Sequence, residues 1–201
     1  MPLAPQALPV LKRLMQDSWK IIEKVLYVRG HVFNRNAQMF DRYFLTYFIM
    51  TVQHTRDHWD PNASDKVQPT QKNLEIMIRE KDEAVEMARG LQEWLKPEEL
   101  GVNPEIEKYL HFVVDVYGIY AEIFRQQIIT AAYMKRAEAS GNAADIAQAE
   151  ESCAAYEELA ARLDGVICGK RYSNNVEYVM DGERVRRFSK DCVQLLAGLK
   201  K

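Results

Sequence analysis

An all-α fold, a bundle of five or six mostly antiparallel helices, is what the sequence predicts. Three observations carry that expectation. Apolar residues recur every three to four positions in each long segment, capping residues stand at the segment boundaries, and neither a βαβ alternation nor an internal repeat is visible. With 201 residues, 47% of them hydrophobic, the chain can bury a core, and one domain over 1–201 is expected.

The first helix is predicted from about Leu8 to Arg29, with Leu11, Leu14, Ile21, Val25 and Val28 on one stripe and Gly30 suited to its C-terminal cap. A second is predicted from near Asn36. Ten of the fourteen residues from Met39 to Val52 are apolar and fall on all sides, the pattern of a helix surrounded by others. The polar "DPNASDKVQP" then reads as a loop. Thr70 is a plausible cap for a third helix, in which Leu74, Met77, Ala84, Ala88, Leu91 and Leu95 recur at helical spacing until "KPEELG" ends it.

"NPEIE" is the clearest start signal. Asn103 can cap, Pro104 fits the first helical position, and Glu105 faces the positive end of the helix dipole. The long helix that follows carries Ile106, Leu110, Val113, Tyr117, Tyr120, Phe124, Ile128 and Ala131 until "SGN" (Ser140 to Asn142) breaks it. A fifth repeats the pattern with Ile146, Ala149, Cys153, Tyr156, Leu159 and Leu163 and is expected to stop at Gly165. In "YSNNVEYVMDGERVRRF" the Asp-Gly pair is a hairpin signal, and Val176, Tyr178 and Met180 alternate as a short extended stretch near 176–180 would. Val185, Phe188, Cys192, Leu195 and Leu199 nevertheless continue in helical register, which favours Asp181 as an N-cap.

Charge and cysteine usage remove several function classes. Twenty-seven basic and 29 acidic residues leave a formal net charge of −2, which gives no global attraction for nucleic acid or an anionic membrane. The densest apolar run, "YFLTYFIMTV", is about half the ~20 residues a membrane-spanning helix needs. "MPLAPQALPVLKRL" lacks the apolar core of a secretory signal, and a soluble chain is expected. Cys153, Cys168 and Cys192, odd in number and without a CxxC pair, fit neither a disulfide framework nor a structural zinc site and read as small core residues.

No motif declares a chemistry. There is no GxSxG elbow, no glycine-rich phosphate loop and no cysteine beside a histidine, so no catalytic residue and no cofactor are expected. "QHTRDHWDPN" sets His54 and His58 four residues apart, a spacing that suits two imidazoles on one metal, and Glu107, His111 and Asp115 form a second such row. The Glu-x-x-His pairs of di-iron bundles and the His-Glu-x-x-His of zinc peptidases are both missing. The sequence therefore favours the plainer reading, in which His54 and His58 end the second helix near the bundle surface, helped by its dipole. The metal-binding bundle stays as the alternative. The acidic pairs Glu150-Glu151 and Glu157-Glu158 read as a solvated face, and Trp59, in a polar loop, suits contact with a partner or ligand.

"NLEIMIREKDEAVEMARGLQEWL" (Asn73 to Leu95), preceded by "HWDPNASDKVQPT", resembles the helical region carried behind the (β/α)8 barrel in several glycoside hydrolase-like proteins. The closing "YVMDGERVRRFSKDCVQLL" resembles the end of the same region. The resemblance implies a non-catalytic accessory module, with the acid and nucleophile carboxylates on a barrel outside this chain. The partners it implies are that upstream barrel domain or further copies of the chain. A module of this kind should leave an apolar patch uncovered when alone, whereas the metal alternative needs His54, His58 and His111 to converge on one ion.

Overall fold

The computed structural model describes residues 5, 7–30, 63–167 and 182–200. Along them run α1 (Ala7–Leu26), α2 (Ala63–Val67), α3 (Gln71–Trp94), a 3-10 turn (Pro97–Leu100), α4 (Pro104–Ser140), α5 (Ala143–Ile167) and α6 (Gly182–Leu199). The fold is an all-α bundle, as the periodicity predicts, with no strand among the described residues. The expected second helix, the stretch near 176–180 and the cap residue Asp181 lie outside those residues.

Cross-helix pairs show that neighbouring helices run antiparallel. Between α3 and α4, Arg136 bonds Gln71 and Arg125 bonds Asp82, while Gln92 lies against Gly118. Between α4 and α5, Arg162 pairs with Glu122, Arg136 pairs with Asp145 at 3.1 Å, and the buried hydroxyls of Thr130 and Ser152 meet at 2.7 Å. Tyr156 packs on Phe188 with ring centroids 4.6 Å apart, and Arg186 pairs with Asp164, so α6 runs back along α5.

Capping chemistry sets most boundaries where the sequence places them. Thr70 accepts a hydrogen bond from the Asn73 backbone at 3.3 Å, and Asn103 accepts one from Ile106 at 2.9 Å. Gly141, at φ +65, turns the chain out of α4, and the Asn142 side chain accepts from Ala144 to start α5. Five details differ. Within "DPNASDKVQP", expected as a loop, Ala63–Val67 form the short helix α2, with Asp65 in its first turn and Lys66 in its last, as the helix dipole favours. Helix α1 ends at Leu26, not Arg29, because Arg29 itself is left-handed (φ +54) ahead of Gly30. Helix α5 runs on through Gly165 to Ile167; a methyl group there would meet nothing within 4 Å, so no packing demand stops the helix at the glycine. Ile106 is exposed, since α3 ends at Trp94 and the first turns of α4 run past it. Leu195 is also exposed: α6 meets α5 through Phe188, Cys192 and Leu196 instead.

Helix α4 is the spine. Packed on both α3 and α5, it buries Leu110, Tyr120, Phe124, Ile128 and Ala131 along with many flanking apolar residues. The stripe read on the third helix is buried throughout, and the position within it that the apolar pattern skips, Lys81, is buried too. Its ammonium crosses to α1. Lys81 Nζ donates to the backbone carbonyls of Lys24 (2.6 Å), Val25 (2.8 Å) and Tyr27 (2.6 Å), acceptors that the end of α1 leaves open. A cation is also favoured there by the helix dipole.

Around this contact a polar latch closes. Lys24 pairs with Glu83 at 2.6 Å, Glu80 accepts from the Arg29 backbone at 2.9 Å, and the Arg29 guanidinium donates to the Lys66 carbonyl and to Asn73. These bonds hold a non-glycine residue in the left-handed region that would otherwise cost about 1 kcal/mol or more.

Burial pushes the Lys81 ammonium down from the ordinary lysine value to about 7, with Glu80 opposing and Lys24 adding to the shift. The folded pKa thus lies below the unfolded one. The stability linked to this proton is present above the unfolded value and lost as pH falls through about 7. Lys81→Met should destabilise the protein by about 3 kcal/mol, because three buried carbonyls lose their donor. Urea unfolding should show the gap between wild type and variant widening as pH is raised from 7 towards 10.

Candidate functional site

With α1 fixed on α3, its two faces differ sharply in use. Ala7, Leu14, Ile21, Val25 and Val28 point into the bundle. On the opposite side Leu8, Met15 and Trp19 are 67%, 74% and 66% exposed. Their i, i+7, i+11 spacing places the three within about 40° of one another around the helix axis. Met15, Gln16, Trp19 and Lys20 line a shallow depression on this face.

A separate side of α1, about 120° to 180° around the axis from Leu8, is charged and ordered. Arg13 and Lys20 both bond Asp17, at 3.3 and 3.2 Å, and the Arg13 guanidinium stacks 4.2 Å from the Trp94 ring at the end of α3. Slight burial acts to raise the Asp17 pKa, but the bonds from Lys20 and Arg13 outweigh it and hold the carboxyl below its ordinary value. The apolar strip is a candidate recognition surface, because a partner that covered it would remove three large side chains from water.

The residues singled out in the sequence fall elsewhere. His54, His58 and Trp59 lie outside the described residues. Glu107, His111 and Asp115 do form a row on α4, but it does not gather ligands. His111 is half exposed, and its Nε2 sits 3.4 Å from Glu98 Oε2 of the 3-10 turn. Among the described residues no group of three or more His, Cys, Asp or Glu side chains could hold a metal ion. Glu151, Glu157 and Glu158 are exposed, as a solvated face requires, while Glu150 pairs with Lys200 at the end of α6.

Titratable groups in the interior suit structure better than acid–base work. Burial raises the pKa of Tyr120 and of Tyr156, so both phenols stay protonated and act as core rings. Among the described residues no helix is long and apolar enough to cross a membrane. Comparison with protein-family models, with curated proteins and with solved structures returns no match.

Sequence reasoning missed the α1 surface because its attention went to the stripe that faces inward. The signal was available: Leu8, Met15 and Trp19 are large apolar residues on the wrong side of a helix whose core face is already complete.

Elemental analysis of the purified chain should find no stoichiometric zinc, iron or manganese. About one ion per chain, lost when His54 and His58 are both changed to alanine, would instead establish the two-row metal site.

Proposed function

We propose that this chain is a non-catalytic helical accessory module that docks on another protein domain through the outer face of α1. The observation that carries the reading is the exposure of Leu8, Met15 and Trp19 on a single face. Three large apolar side chains in one row would be removed from water by a partner, and tryptophan is among the residues that most often dominate binding energy.

The resemblance of "NLEIMIREKDEAVEMARGLQEWL" and "YVMDGERVRRFSKDCVQLL" to the helical regions of glycoside hydrolase-like proteins supports a (β/α)8 barrel as that domain. On this reading carbohydrate chemistry belongs to the barrel, and the bundle extends or steadies it. Trp59 is a second candidate contact with the same partner.

The test begins with the coding sequence that adjoins this chain. It should encode a (β/α)8 barrel, and the purified barrel should bind the bundle in calorimetry. Met15→Ala with Trp19→Ala should weaken binding by about tenfold or more, as loss of a central anchor does, with an unchanged helical circular dichroism spectrum. Absence of an adjoining barrel, or equal binding by the double variant, would overturn the proposal.

A further inference from the structure

The outer seam between α5 and α6 carries a ladder of ion pairs with its middle rung missing. Glu150 pairs with Lys200 at 2.5 Å at one end, and Asp164 pairs with Arg186 at the other. Glu157 stands midway between the two acids along α5, and Val193 stands midway between the two bases along α6. The position level with Glu157 is therefore held by an apolar side chain. Val193 is 55% exposed there, and among the described residues Glu157 has no hydrogen-bond or ion-pair partner.

The gap opens on a cavity of about 380 Å³, whose apolar lining comes from Ala154 on α5 and from Val193, Leu196 and Ala197 on α6. Glu157 lines the same cavity. Lys190 borders it, one turn before Val193 and about 60° around α6, on the side away from Ser189 and Leu196, which are buried. Its ammonium is exposed and, like the Glu157 carboxylate, makes no ion pair or hydrogen bond among the described residues.

This pattern selects its occupant. An apolar centre with one free carboxylate on one side and one free ammonium on the other is complementary to itself. A two-fold axis through Val193 sets the two valines together and carries each Lys190 towards the partner subunit's Glu157. Contact between identical surfaces requires such reciprocity, because each residue meets its counterpart in both directions. A wholly basic or wholly acidic partner would satisfy one of the two charges and oppose the other with its like.

We infer that this seam is the interface of a two-fold homodimer, with Val193 at its centre and reciprocal Glu157–Lys190 pairs across it. The apolar centre is narrow, which places the contact among weak, concentration-dependent interfaces and not among obligate ones. Charge pairing accordingly sets the orientation of the two copies. Helix α1 packs on α3 and α4, whereas the seam belongs to α5 and α6, so dimerisation does not use Leu8, Met15 or Trp19.

Sedimentation equilibrium of the full chain in reducing buffer should show a reversible monomer–dimer equilibrium that weakens as salt is raised. Glu157→Lys and Lys190→Glu should each raise the dissociation constant about tenfold or more, because each sets like charges opposite one another. Mixed in equal amounts, the two variants should associate about as tightly as the wild type, since each supplies the charge the other lacks. Val193→Glu should abolish the dimer, and all three variants should keep the helical circular dichroism spectrum, because the positions are exposed. Met15→Ala with Trp19→Ala should leave the dimer unchanged, which separates this test from the one on α1. The inference is overturned if the wild-type chain stays monomeric at ~1 mM, if the charge variants dimerise as well as the wild type, if mixing them restores nothing, or if the α1 variant abolishes the association.

Discussion

A lysine ammonium buried at the end of a helix is the constraint on which the rest of this molecule depends. Lys81 stands in the middle of the apolar stripe of α3, where a hydrophobic residue would fill space but leave the last carbonyls of α1 without donors. Desolvating the charge is costly, and that cost is offset only if the three carbonyls stay where they are. The contact is therefore specific to one placement of α1. Rotation or sliding of the helix would strand a buried cation, so the axial position and the rotation of α1 are set together.

From that placement the surface follows. The side of α1 carrying Ala7, Leu14, Ile21 and Val25 must face α3 and α4, and the side carrying Leu8, Met15 and Trp19 must face outward. The Arg13–Asp17–Lys20 group lies on a different side of α1, where the Arg13–Trp94 stack ties it to the end of α3. Interior and surface are thus coupled through one helix. The polar latch that completes the bundle also decides which side chains another protein would meet.

Much of this architecture was legible in the sequence, because helix periodicity and capping are local. Thr70 and Asn103 cap as their residue types suggest, and every position read on the third-helix stripe is buried. What was not legible depends on tertiary arrangement. Lys81 reads as an ordinary charged interruption of an apolar stripe, because its acceptors lie on a helix more than fifty residues earlier in the chain. Ile106 and Leu195 belong to apolar patterns yet are exposed, since the extent of a neighbouring helix and the rotation of α6 decide their burial. The candidate surface was hidden for a related reason. Periodicity identifies an apolar stripe but does not say that a second one on the same helix has no cover, and the histidine motif drew the eye by residue type alone.

The link between α4 and α5 has a kinetic meaning. Gly141 and Asn142 are the only residues between two of the longest helices, and the left-handed glycine reverses the chain without strain. Closing so short a loop costs little entropy, and the Arg136–Asp145 and Thr130–Ser152 pairs join residues close in sequence. This hairpin can zip from its turn before any distant segment arrives. The contact made by Lys81 has the opposite character, since it must bring together residues from far-separated parts of the chain. The connectivity thus separates a contact that is local in the chain, between α4 and α5, from the long-range one that fixes α1 on α3.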